Sequence, residues 1–180
     1  MSINLIMGCM FSGKTSKLIN VAKNCKLISK KVLLINFSGD TRYSSCEFIT
    51  THDNVSIECK SCNEDLLDVE NFNEYNDSQV ICINEGQFFK NLVTFCKNAC
   101  SAGKDIYICG LDGDYRMKPF GEIMELIPMC DNVEKLKAIC MGCKDGTTAS
   151  FTKRIISSSN LVEIGSSDMY IPVCRKCYTT

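Results

Sequence analysis

The sequence has no apolar run long enough to cross a bilayer, no surplus of either charge, a single histidine, and no internal repeat or low-complexity tract. Each shortage excludes something. Without a stretch of about 20 apolar residues no membrane-spanning helix is expected. The short apolar run near the N-terminus lacks a basic flank and a cleavage-site pattern, so the expected compartment is the cytoplasm. Twenty basic against twenty-one acidic side chains leave a net charge of -1, a balance that draws in neither nucleic acid nor a membrane surface. His52 has no neighbour that completes a catalytic pair and is read as structural.

What the chain has in plenty is cysteine, fourteen in 180 residues. Without an export signal these do not read as a disulfide scaffold, and most are taken as small buried apolar residues. The exceptions are Cys140-Met141-Gly142-Cys143 and Cys174-Arg175-Lys176-Cys177. Each pair presents two thiolates from a tight turn, and four thiolates close the shell of a structural zinc ion. A redox role is the competing reading, disfavoured because such motifs work singly at the start of a helix within their own fold. Cys59 and Cys62 share the spacing but supply only half a shell, so no metal is expected there. The stretch from Lys144 to Val173, anchored at both ends, suits a substrate lid, with short strands expected at Ala149–Thr152 and Leu161–Ile164.

The densest chemical signal lies at the start. The apolar run Ser2 to Met7 feeds Gly8-Cys9-Met10-Phe11-Ser12-Gly13-Lys14-Thr15, a G-x-x-x-x-G-K-T loop, and a helical pattern follows at once. Backbone amides of such a loop turn inward around phosphate oxygens at the positive end of the helix, Lys14 adds a mobile charge, and Thr15 offers a hydroxyl to magnesium. A chance Gly/Lys/Thr loop is the alternative, disfavoured by the strand before and the helix after.

The length allows one substantial core and a small appendage, placed at residues 1–138 and 139–180. A helix is expected from Thr15 to about Ile28, and buried parallel strands at Val32–Phe37, Gln79–Ile83 and Asp105–Cys109. A hairpin is expected around His52-Asp53-Asn54. An acidic helix is expected over Glu64–Tyr75, a helix over Leu92–Cys100 stopped at Gly103, a helix over Phe120–Met129 broken by Pro128, and a strand of about five residues within Asn132–Ile139. Asp40 and Arg42 follow the second strand and stand equally open to a phosphate-facing or a solvent-facing reading. Glu85 sits at the tip of the third, where phosphate-loop enzymes hold magnesium or activate the acceptor; an exposed strand-end acid is the alternative.

Together the motifs resemble the type II thymidine kinases. The likeness runs through Gly8–Thr15, Asp40-Thr41-Arg42-Tyr43, Thr51-His52-Asp53, Glu85-Gly86-Gln87-Phe88-Phe89, Leu111-Asp112-Gly113, Lys118-Pro119-Phe120, Ser150-Phe151-Thr152-Lys153-Arg154, Asp168-Met169-Tyr170 and Cys174-Arg175-Lys176-Cys177-Tyr178. The resemblance implies an α/β, RecA-like phosphate-loop domain with a parallel sheet flanked by helices, joined to a small zinc-binding lasso. It implies transfer of the γ-phosphoryl group of ATP to thymidine or deoxyuridine with Mg2+, a homotetramer, and feedback by dTTP. By matched position Glu85 is the base, with Arg42 and Lys14 offsetting charge. Gly8, Met10, Ser12, Gly13, Thr15, Asp40, Asn84 and Gln87 are placed at nucleotide and metal. Met10, Phe88, Leu111, Tyr115, Phe120, Thr152, Leu161 and Tyr170 are placed around the nucleoside, whereas without the resemblance the aromatics read as core. Three departures stand out: Asn84 where the family usually has Asp, Cys9 for proline, and Tyr115 for phenylalanine. Asn84 leaves room for a second function, a catalytically weakened nucleotide sensor on the same fold.

Overall fold

The computed structural model describes residues 1–37, 39, 48–51, 55–156 and 169–180. Strand β1 (Ser2–Gly8) is followed by helix α1 (Lys14–Leu27) and β2 (Val32–Phe37), the strand-helix-strand unit the apolar spacing predicts. Next come β3 (Phe48–Thr50), β4 (Ser56–Glu58) and β5 (Lys60–Cys62). A 3-10 segment Leu66–Asn71 and the short α2 (Asn73–Asp77) lead to β6 (Val80–Ile83). Helix α3 (Leu92–Ser101), β7 (Asp105–Gly110), a 3-10 segment Ile123–Met129 and β8 (Asn132–Leu136) complete the larger part. The C-terminal part holds β9 (Ala138–Ile139), β10 (Thr148–Ala149), β11 (Phe151–Arg154), β12 (Tyr170–Val173) and α4 (Arg175–Thr179).

Six strands form one parallel sheet in the order β5-β2-β6-β7-β1-β8. Its central strand β6 is continuously apolar and its inner neighbours largely so, because both faces are covered. In β6, Ile81 and Ile83 point into a core with Leu92, Phe95 and Ala99 of α3, whereas Val80 and Cys82 point to the other face against Leu18, Ile19 and Ala22 of α1. A third, smaller cluster joins Cys9 to Ala138, Cys140, Ala149 and Val173.

Two expectations need correction. Glu64–Tyr75 does not form one helix. The Asp65 carboxylate accepts a hydrogen bond from the Leu67 amide at 3.0 Å and starts a 3-10 turn instead, and α2 begins only at Asn73. Asp and Asn side chains compete with the backbone ladder, which favours such breaks. Phe120–Met129 likewise narrows to a 3-10 segment containing Pro128. Strand β5, unforeseen, adds an edge beside β2, and its Cys62 lies in the α3-side core while Cys59 packs on the α1 side. The β3–β4 hairpin pairs as expected. Its tip, with His52, and the expected strand Leu161–Ile164 lie outside the described residues.

Long-range hydrogen bonds hold the strand ends. Glu122 accepts from the amides of Asn91 and Val93, each at 2.9 Å, and so caps α3 from the far side of the chain. The Asp105 carboxylate accepts from Ser2 Oγ and Lys30 Nζ, each at 3.0 Å, fastening β7 to β1 and to the turn before β2.

Candidate active site

The phosphate loop sits where the sequence places it, between β1 and α1. A side chain at Gly8 would put its Cβ 2.4 Å from the Leu136 carbonyl, so only glycine lets β8 approach so closely. Gly13 precedes α1 with φ 83° and offers no side-chain cap to the first helical amides, leaving them suited to anionic oxygens. Lys14 is buried, and its ammonium donates to the Cys9 carbonyl at 2.7 Å, arching over the loop. Ser12 Oγ is buried with no hydrogen-bond partner among the described residues. These features fit a bound polyphosphate.

Beside the loop, the tip of β6 carries a satisfied polar network. Thr15 Oγ1 lies 3.2 Å from Asn84 Oδ1, which also accepts from the Cys109 thiol at 3.0 Å, while Asn84 Nδ2 donates to Asn36 Oδ1 at 2.9 Å. Asn36, Asn84 and Cys109 are all buried. Burial pushes the Cys109 thiol up to about 12, so it serves here as a neutral donor. Glu85 follows in the left-handed conformation, φ 55° and ψ 43°, a strained setting for a residue with a side chain. Gln87 Nε2 donates to Glu85 Oε2 at 2.6 Å, and Gln87 Oε1 accepts from the Leu111 amide at 2.9 Å.

The residues assigned to the nucleoside meet in small groups. Phe88 stacks on Phe37 with centroids 5.1 Å apart and meets the edge of Phe120 at 5.5 Å. The Met10 amide donates to Thr152 Oγ1 at 3.1 Å, joining the phosphate loop to β11. Tyr115 and Tyr170 are linked by Arg154, whose guanidinium lies 3.9 Å from the Tyr115 ring centroid and donates to the Tyr170 hydroxyl at 2.8 Å. Tyr178 also donates its hydroxyl to the Tyr115 carbonyl at 2.7 Å. Asp40, Arg42 and Leu161 lie outside the described residues.

The four cysteines of the two C-x-x-C pairs converge, with all sulfurs within 4.8 Å of one another. Cys143 Sγ is 3.7 Å from Cys174 Sγ and 3.5 Å from Cys177 Sγ. Zinc–sulfur bonds of about 2.3 Å in a tetrahedron put sulfurs about 3.8 Å apart, so the donor set fits zinc. Burial pushes the Cys140 thiol up, but amides of Cys174 and Cys143 pointing at its sulfur outweigh this and bring it down to about 6. Those amides would steady a thiolate ligand.

Comparison with known proteins supplies the deciding observation: the thymidine kinase family model matches residues 1–178. The chain belongs to the thymidine kinase family. The thymidine kinase of Myxoma virus (strain Uriarra) is 45% identical over 177 residues, covering 98% of this chain and 95% of the relative. Thymidine kinase 1 of Dictyostelium discoideum is 40% identical over 181 residues, covering 99% of this chain and 78% of the relative. The Vaccinia virus (strain Western Reserve) thymidine kinase is 40% identical over 176 residues, covering 98% and 96%. In this thymidine kinase family chain, sequence reasoning missed Asn36, Cys109 and Arg154 as parts of the site. Asn36 and Cys109 sit in apolar strands with no motif around them, and Arg154 was visible only as the last residue of a matched segment. The α/β sheet with a cysteine cluster after it agrees with the expected fold, and no helix among the described residues is long and apolar enough to cross a membrane.

Proposed function

We propose that this chain is an ATP- and Mg2+-dependent thymidine kinase that phosphorylates the 5′-hydroxyl of thymidine or deoxyuridine. One observation supports this above the rest: in a chain of this family, the phosphate loop and the tip of β6 are joined through Thr15 and Asn84, directly beside Glu85. The loop amides and Lys14 would hold the β- and γ-phosphates, with Gly8, Met10, Ser12 and Gly13 shaping the cradle. Thr15, donating its proton to Asn84, keeps its lone pairs for the metal, and Asp40 is proposed to join them. Magnesium, when bound, neutralises phosphate charge.

Glu85 takes the proton of the 5′-hydroxyl as the new O–P bond forms, and the bond from the γ-phosphorus to the bridging oxygen breaks to release ADP. Arg42 is proposed to offset charge on the transferred group. Phe88, Phe120 and Met10 provide apolar surface for a pyrimidine, with Leu111, Tyr115, Thr152 and Leu161 completing the pocket and Tyr170 at the sugar. The cysteine cluster would hold a structural zinc that ties residues 139–180, as a lasso, to the nucleotide-binding part at 1–138. A homotetramer, inhibition by dTTP and a cytoplasmic location are proposed with it, on the strength of the family.

Purified zinc-loaded protein should convert thymidine to its monophosphate in a magnesium titration. Glu85→Gln should lower kcat by about 100-fold or more while binding ATP within about threefold of the parent. If the parent binds thymidine and forms no product at any magnesium concentration, the protein is a sensor instead.

A further inference from the structure

Gln87 lies in a space cut to its size. It is 3% exposed, and a Cβ at Gly110 would fall 2.6 Å from its Oε1, while one at Gly121 would fall 2.2 Å from its carbonyl oxygen. Both ends of its side chain are engaged, Nε2 with the Glu85 carboxylate and Oε1 with the Leu111 amide. Only one orientation of the amide satisfies both. Turned over, it would set NH2 against the Leu111 N–H and its carbonyl oxygen against a carboxylate. Gly110 leaves room for the Gln87 amide oxygen and Gly121 for its main-chain carbonyl, and the amide so seated makes a short charge-assisted bond to one oxygen of the Glu85 carboxylate.

We infer that Gln87 is a positioning residue that fixes the Glu85 carboxylate and couples it to the nucleoside pocket through Leu111; this rests on the kinase reading above. Glu85 occupies a strained backbone conformation at a strand tip, where a three-bond side chain has many rotamers to lose. Holding Oε2 removes most of that freedom and directs Oε1 to the 5′-hydroxyl. The same glutamine grips the first amide after β7, at Leu111, which is proposed to line the nucleoside pocket. A shift of that segment on filling the pocket is carried to the base through one rigid amide. Among the described residues the Cys109 thiol on β7 also faces Glu85, whose negative charge adds to burial in pushing that thiol up.

The test is a double-mutant cycle on the full, zinc-loaded protein with Gln87→Met, Glu85→Gln and both together, following kcat for thymidine and equilibrium binding of ATP and thymidine. Gln87→Met keeps length and burial but loses both hydrogen bonds. It should lower kcat by about 10- to 100-fold, the usual cost of a misplaced reacting group, a larger change than in the binding of either ATP or thymidine. In the Glu85→Gln background it should cause no further loss beyond about twofold, because its effect passes through that carboxylate. Gln87→Leu, which removes both hydrogen bonds without adding a charge beside Glu85, serves as a second variant should the first fail to fold, and should show the same non-additive loss. Additive losses, or a kcat within twofold of the parent, would overturn the positioning role while leaving the kinase reading intact. A parent protein without turnover would overturn both.

Discussion

At the scale of single residues, the site beside the phosphate loop is held by buried neutral amides. Asn84 gives one acceptor to Thr15 and Cys109 and one donor to Asn36. Asn84→Asp would place a negative charge near the proposed metal, and Asn36 can accommodate it by turning its own amide to donate. The magnesium concentration giving half-maximal ATP binding, measured by calorimetry, should fall about tenfold in that variant, equivalent to about 1.4 kcal/mol. An unchanged midpoint would show that Asn84 does not face the metal. The phosphate loop and Glu85 were legible because their chemistry is written in consecutive residues. Asn36, Cys109 and the bond from Leu111 to Gln87 were not, since each acquires its partner only when β2, β6 and β7 lie side by side.

At the scale of elements, the buried strands and the two longer helices follow from apolar periodicity, and the structure departs from expectation where polar side chains intervene. The Glu64–Tyr75 stretch carries enough acidic and apolar residues to suggest an amphipathic helix, yet the Asp65 carboxylate turns back on the Leu67 amide. Nothing in local sequence reveals that Glu122 caps α3, because its two acceptors are supplied across 29 and 31 residues. Asp105 is a similar long-range tie. Burial pushes its carboxyl up, but hydrogen bonds from Lys30 and Ser2 outweigh this and hold it below the ordinary carboxylate range. Its folded pKa being lowered, the stabilisation is complete above the unfolded value of about 3.9 and is lost as pH falls through the lower folded value. Asp105→Asn should therefore cost about 0.5–1 kcal/mol at neutral pH, allowing for solvent screening. In urea titrations the gap between parent and variant should close below about pH 4. A gap that persists at pH 2 would mean that the carboxylate charge contributes nothing.

At the scale of the whole molecule, the cysteine cluster and the phosphate loop are neighbours. Cys9 packs in the same apolar cluster as Cys140, and the Met10 amide is bound by Thr152. Removing zinc with a chelator should loosen β9 to β12 and weaken ATP binding several-fold, and reciprocally ATP should slow metal loss. Brief alkylation of the stripped protein near pH 7.5 should label Cys140, Cys143, Cys174 and Cys177, read by mass spectrometry. Cys82, Cys96 and Cys109 should stay unlabelled, being enclosed in the clusters on the two faces of the sheet. Equal labelling of both groups would mean that the metal supports the entire core. The strand order has another consequence, for the growing polypeptide. Strand β1 is enclosed by β7 and β8, pairing Ser2 with Asp105 and Asn4 with Asn132. During translation the phosphate loop therefore emerges early and waits for more than a hundred further residues before its strand has neighbours on both sides, so nascent chains halted before β8 should have an unfinished loop and an exposed apolar edge for chaperones to cover.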